Sequence, residues 1–81
     1  MKYKRKNVVV DAFQAGFDDE PAWFQMAVTC GIVWIEESYG AYMIGDIEIP
    51  AGSYVVKGVD NEIWWVEEDT FDLYYELVGY D

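Results

Sequence analysis

The sequence predicts an α+β fold: an antiparallel meander sheet, one helix from the N-terminal half packed on it, and a short C-terminal helix, in the order β-α-β-β-β-β-α. Three observations lead there. A valine-rich stretch opens the chain, two segments carry apolar residues at helical spacing, and four β-forming runs lie between turns marked by glycine or proline. Strands joined by such short turns pair with their sequence neighbours, and half-apolar strands need a helix over one face.

The first strand is Asn7 to Gln14, with Val8, Val10 and Ala12 on one face and Val9, Asp11 and Phe13 on the other. Asp18-Asp19-Glu20-Pro21 announces a helix, since proline suits the first helical position. Trp23, Met26, Ala27 and Cys30 then form an apolar stripe, and Gly31 ends the helix as a left-handed cap. Strands follow over Ile32–Glu37 and Ala41–Ile49, with Ser38-Tyr39-Gly40 as the turn and Gly45 as a bulge. Pro50-Ala51-Gly52-Ser53 turns the chain into strand Tyr54–Lys57, and Gly58-Val59-Asp60-Asn61 into strand Glu62–Glu67. Asp69 or Thr70 caps the last helix, which presents Phe71, Tyr74, Tyr75 and Val78 and stops at Gly79.

The 81 residues make one domain, with residues 1–6 as a basic N-terminal arm. Hydrophobic residues are 53% of the chain and aromatics 19%, too many for a disordered acidic tail. No apolar run approaches the ~20 residues of a membrane span. The basic start lacks the apolar stretch of a signal peptide, which places the protein inside a cell. Cys30 is the sole cysteine and histidine is absent, so neither an internal disulfide nor a histidine-based catalytic triad is available.

Charge is the most informative bulk property. Lys2, Lys4, Arg5 and Lys6 hold four of the five cations; beyond them, sixteen acids face Lys57 alone, a net −15 on the body of the domain. Such a field repels nucleic acid and draws in basic surfaces. Direct nucleic-acid binding is therefore excluded, and a basic protein surface becomes the expected partner.

Lys6 to Gln14 (KNVVVDAFQ) and Pro50 to Glu76 (PAGSYVVKGVDNEIWWVEEDTFDLYYE) resemble a family of small phage and prophage proteins. Its members open with a K-x-V-V-V-E-A-F-Q-like strand and carry P-G-D-Y-I-I-K-G followed by G-E-x-Y-P-C-K-P-D-x-F-x-x-T-Y-E. Gly52, Tyr54, Val55, Val56, Lys57 and Gly58 match the first block, with Ser53 in place of its aspartate. Glu62, Asp69, Phe71, Tyr75 and Glu76 match the second, while Trp65, Val66, Glu67 and Glu68 stand where it has Pro, Cys, Lys and Pro. The exchange of lysine for Glu67 removes a group an anionic ligand would use. The resemblance implies phage origin and a host-cytoplasmic setting.

Chemistry-bearing residues are few. Apart from the helix-opening Asp18-Asp19-Glu20, Glu36-Glu37 and Glu67-Glu68-Asp69 are the dense acid clusters, and both sit at expected strand ends in solvent, where no carboxyl is set up for proton transfer. The second is a hard-oxygen set without EF-hand spacing, better read as favouring the positive end of the last helix; neither metal nor cofactor is expected. Cys30 reads as a core residue, and Lys57 as the partner of a neighbouring carboxylate. Trp64 and Trp65 point to opposite faces of one strand, so one of them lies at the surface or under the second helix. With Tyr42, Trp34 and Tyr39 they offer an aromatic patch of the kind that anchors interfaces.

Acids at i and i+2 on a strand lie about 6.7 Å apart, comparable to the spacing of phosphates along a nucleic-acid strand. Asp46 and Glu48 share a face in this way, with Ile47 and Ile49 turned inward, and Glu36, Glu37, Asp60, Glu62, Glu67, Glu68 and Asp69 add charge at neighbouring turns. The expected role is therefore a binding protein, not an enzyme: an acidic, phage-encoded inhibitor of a host defence or nucleic-acid enzyme, of anti-CRISPR or anti-restriction type, acting by nucleic-acid mimicry as a monomer or small homo-oligomer. The alternatives are a nucleotide-binding sponge, with Lys57 and Trp64 or Trp65 framing the ligand, and a phage structural or assembly adaptor.

Overall fold

A computed structural model describes residues 2–5, 8–38 and 40–77. The elements are β1 (Lys2–Arg5), β2 (Val8–Gln14), α1 (Ala22–Thr29), β3 (Val33–Glu36), β4 (Ala41–Ile44), β5 (Ile47–Glu48), β6 (Tyr54–Lys57), β7 (Ile63–Val66), α2 (Glu68–Tyr74) and β8 (Glu76–Leu77). The α+β class and the expected succession of strands and helices hold. Asn7, Tyr39, Val78 and Gly79, each given a role above, lie outside the described residues.

The single meander does not form. The strands divide into a five-stranded sheet, ordered β7-β6-β2-β1-β8, and a three-stranded sheet, ordered β3-β4-β5, with every pairing antiparallel. Local turns account for the β3-β4-β5 and β6-β7 pairings. What joins β6 to β2, forty residues earlier, is burial: Phe13 pairs opposite Val55 and Ala12 opposite Val56, and all four are within 3% of full burial. Such alternating apolar strands bury both faces only in the centre of a sheet covered on each side.

Residues 2–5 are not an arm but the strand β1, with Tyr3 opposite Val10 on one side and Leu77 on the other. Pairing there satisfies the second row of backbone groups on β2, a demand that composition does not reveal. The expected strand over Ala41–Ile49 is likewise two strands. Gly45 and Asp46 form a two-residue hairpin loop between Ile44 and Ile47, with positive φ (60°) only at Gly45, as a type II′ turn requires.

Each face of the larger sheet has its own core. On one face Phe13 and Val55 pack with Phe24 and Ala27 of α1 and with Val33 and Ile49 around the smaller sheet. Phe24 is the hub, edge-on to Phe13 at 4.9 Å and to Tyr42 at 5.1 Å between ring centres. On the other face Val10, Ala12 and Val56 meet Phe71 of α2. The stack Tyr54–Phe71–Tyr75, with ring centres 3.9 and 4.4 Å apart, fastens α2 to β6.

The stripe of α1 is rotated from the expected one. Phe24 and Ala27 are buried, whereas Met26 and Cys30 are exposed. Spacing alone admits either set, and the larger flat ring at Phe24 fits the gap beside Phe13. Proline occupies the position just before the first helical residue, one place earlier than expected. The C-terminus is as expected: Gly31 has φ 86°, with Ile32 N–H donating to Ala27 and Gly31 N–H to Val28, the pattern of a Schellman cap. α2 begins at Glu68, before the expected caps, and ends at Tyr74, since Tyr75 is extended and leads into β8. Among the described residues no helix is long and apolar enough to cross a membrane.

Candidate functional site

The candidate site is β7, an edge strand of the larger sheet, with its two acidic ends. The turn before it is built by Gly58 N–H donating to the Glu62 carbonyl (2.9 Å) and Asn61 N–H to the Gly58 carbonyl (3.0 Å). Asn61 takes φ 65°, a conformation asparagine adopts more readily than other non-glycine residues. The strand that follows, Ile-Trp-Trp-Val, alternates across the sheet. Trp65 turns with Ile63 towards the α1 core, and Trp64 with Val66 towards the α2 core. Both tryptophans are half-buried, so each contributes to packing and neither is a free-standing anchor. Trp64 lies on the α2 side, as one of the pair was expected to.

Among the described residues no strand pairs with the outer edge of β7, and clefts open along it. Ile44 and Ile47 of the β4-β5 hairpin, with Trp64 and Trp65, line a largely apolar cleft of about 300 Å³. Trp64 also borders a second, of about 200 Å³, completed by Val66, Thr70, Tyr74 and Tyr75. Beyond the strand, Glu67, Glu68 and Asp69 face the Pro50–Ser53 turn across a third cleft of about 250 Å³.

The expected acids fall into separate groups. Asp60 and Glu62 are exposed at one end of β7, and Glu67, Glu68 and Asp69 are exposed at the other, five residues or roughly 16 Å from Glu62 to Glu67. Glu36 and Glu37 sit at the β3-β4 turn, where the Glu36 carboxylate accepts the Ser38 N–H at 3.2 Å. Asp46 occupies the β4-β5 loop and Glu48 lies on β5, opposite Met43. Asp46 and Glu48 therefore do not form a row on one strand, and Ile47, expected inside, is exposed; only Ile49 is buried. The hairpin loop reverses the chain where a continuous strand was expected.

Tyr42 is not an exposed anchor either. Its ring is half-buried against Phe24, and its hydroxyl donates to the carboxylate of Glu20. Burial first, then that hydrogen bond and the negative charge of Glu20, raise the phenol above its ordinary pKa. Trp34 is exposed, its indole N–H donating to the Gly45 carbonyl at 3.0 Å. Lys57 is paired as expected, 3.9 Å from Asp11 directly across the β2-β6 ladder, and its ammonium lies 5.8 Å from the centre of the Trp23 ring.

The residues sequence reasoning missed are Glu20, Ile44 and Ile47. Nothing local links Glu20 to Tyr42, since all of α1 intervenes. The two isoleucines were legible in principle: Ile-Gly-Asp-Ile carries a two-residue hairpin signature, masked here by reading Gly45 as a bulge. Among the described residues no three Asp, Glu or Cys side chains gather as a metal-binding group.

Fold and site together define a small antiparallel α+β domain with an open, aromatic-flanked edge strand between acidic ends. No family model, curated protein or solved structure matches the chain.

Proposed function

We propose that this chain is an acidic binding protein of phage origin that inhibits a host defence or nucleic-acid enzyme by occupying its basic, nucleic-acid-binding groove. The observation that carries the reading is charge: after residue 6, sixteen acids face one base, and that base lies beside Asp11. The acids at both ends of β7, with Glu37, Asp46 and Glu48, are solvent-exposed. A protein that grips the phosphate backbone carries a groove of lysine and arginine, and a rigid acidic body competes for it. Nucleases of the CRISPR and restriction classes present such grooves, and the host cytoplasm is where the two would meet. The resemblance to small phage proteins supports the same setting.

The nucleotide-sponge alternative has less support. Lys57 is engaged by Asp11 and lines none of the three clefts, one of which is walled by Glu67, Glu68 and Asp69.

The test is DNA cleavage by a panel of such nucleases with stoichiometric protein, at low and at raised salt. Inhibition that weakens with salt and with charge reversal of Glu67 and Glu68 is the expected result. A panel wholly unaffected at low salt overturns the proposal.

A further inference from the structure

The open edge of β7 suggests how a partner would be held, an inference that rests on the binding role just proposed. In an antiparallel ladder, residues alternate between pairs that exchange hydrogen bonds and pairs that do not. The bond from Gly58 N–H to the Glu62 carbonyl sets the phase. Counting along the register, Trp64 opposite Val56 and Val66 opposite Tyr54 turn their backbone groups towards β6. Ile63 and Trp65 then point their N–H and C=O groups away from the sheet, on the side where none of the described residues adds a strand.

An unpaired row of this kind is a template for another strand. Here it is flanked by the two apolar clefts that meet at Trp64, and bounded by Asp60 and Glu62 at one end and Glu67 at the other. We propose that β7 captures an extended segment of the partner with an apolar centre and basic residues at both ends, adding it as a further strand of the sheet. Main-chain bonds to Ile63 and Trp65 would supply affinity, alternate apolar side chains would enter the clefts, and the flanking cations would meet the acids.

Charge also selects against a second copy of this chain. Whether two β7 strands paired parallel or antiparallel, acidic ends would lie against acidic ends, a repulsive arrangement.

The experiment uses the intact protein and a capped heptapeptide, Lys-Arg-Val-Ile-Val-Arg-Lys, with two derivatives N-methylated on alternate residues of one parity or the other. All three share charge and side chains; a strand pairing through one edge needs the N–H groups of one parity only. We expect the derivative of that parity to bind about tenfold or more weaker and the other to bind like the parent, with the Ile63 and Trp65 amides slowed in hydrogen exchange by the parent peptide. The double variant E62Q/E67Q should bind severalfold weaker, with less salt dependence. Equal affinity of the two derivatives overturns the proposal, as does peptide-induced protection confined to β8 or the three-stranded sheet. Protection of Ile63 and Trp65 in a dimer without peptide overturns it in favour of a second copy. Because the peptide assay needs no enzyme, its failure alongside an inhibited nuclease removes edge capture alone, whereas edge capture with no inhibited nuclease removes only the inhibitory role.

Discussion

The ring of Trp64 occupies the space a side chain on Gly58 would need: a Cβ built there falls 2.8 Å from two carbons of the indole, and 2.6 Å from Oε1 of Glu62, the far end of an exposed side chain that can swing aside. The φ of Gly58 is not left-handed, so glycine is required here for room, not for backbone freedom. The close approach holds Trp64 against the sheet and so shapes both clefts along β7.

Gly58→Ala should therefore destabilise the fold by about 2 kcal/mol, as other over-packing changes do. In a domain this small the melting temperature should fall on the order of 10 °C. Trp64→Phe removes the contacting carbons, so adding it to Gly58→Ala should recover part of the loss. Thermal melts of the two single variants and the double variant measure that coupling.

Phe71 is the only buried residue of α2 and the middle ring of the stack between Tyr54 and Tyr75. Phe71→Ala should cost about 3–5 kcal/mol, comparable to the whole stability of many small domains, and leave the chain largely unfolded by circular dichroism. Phe71→Leu keeps an apolar side chain of somewhat smaller volume and loses the stacking, and should cost roughly 1–2 kcal/mol in urea denaturation.

Tyr42 makes stability depend on alkaline pH. Its folded pKa is raised above 10.0, by burial and by Glu20, while the unfolded chain titrates near 10.0. Below pH 10 both states keep the proton and the contribution is complete. Above it the unfolded state releases its proton first, so stability falls with rising pH until the folded pKa is passed. Phenolate absorbance should show Tyr42 ionising late, and Glu20→Gln should bring it back part of the way, because burial remains. Tyr42→Phe should remove this part of the alkaline loss.

The Lys57–Asp11 pair should matter little for stability. At 3.9 Å, with both side chains about a quarter exposed, it lies in the weak class of ion pairs. Lys57→Met, which keeps an apolar stem near Trp23, should cost under about 1 kcal/mol by chemical denaturation.

The acidic field should oppose folding. With a formal net charge of −11, self-repulsion is relieved by screening, so the melting temperature should rise as salt is added from roughly 10 to 150 mM. A melting temperature indifferent to salt would remove the basis of the proposed function, because no strong field would then surround the protein.

Much of the fold was legible because its signals are local. Tyr54–Lys57 needed only its flanking turns and β-branched residues, and Gly31 only its place after a helical stripe. The pairing of Lys57 was foreseeable for a lone cation among so many acids. The rotated stripe of α1 was not, because helical spacing offered Met26 and Cys30 as readily as Phe24, and only a facing surface chooses between them. Of the site, the acids at the ends of β7 could be named, but not their separation into groups, nor the loss of Tyr42 to the core.

By itself the sequence determined the class of fold, the strongly acidic body, and the opposite facing of Trp64 and Trp65, since each follows from composition or from the two-residue period of a strand. Tertiary structure alone decided that β6 joins β2, that Lys2–Arg5 becomes a strand, and that β7 forms an edge of the sheet with the backbone groups of Ile63 and Trp65 directed away from β6. The physical reason is that turns and periodicity act over a few residues. Which distant strand lies alongside is settled by burying Phe13 on one face of β2 together with Val10 and Ala12 on the other, an outcome that depends on apolar residues far apart in the chain.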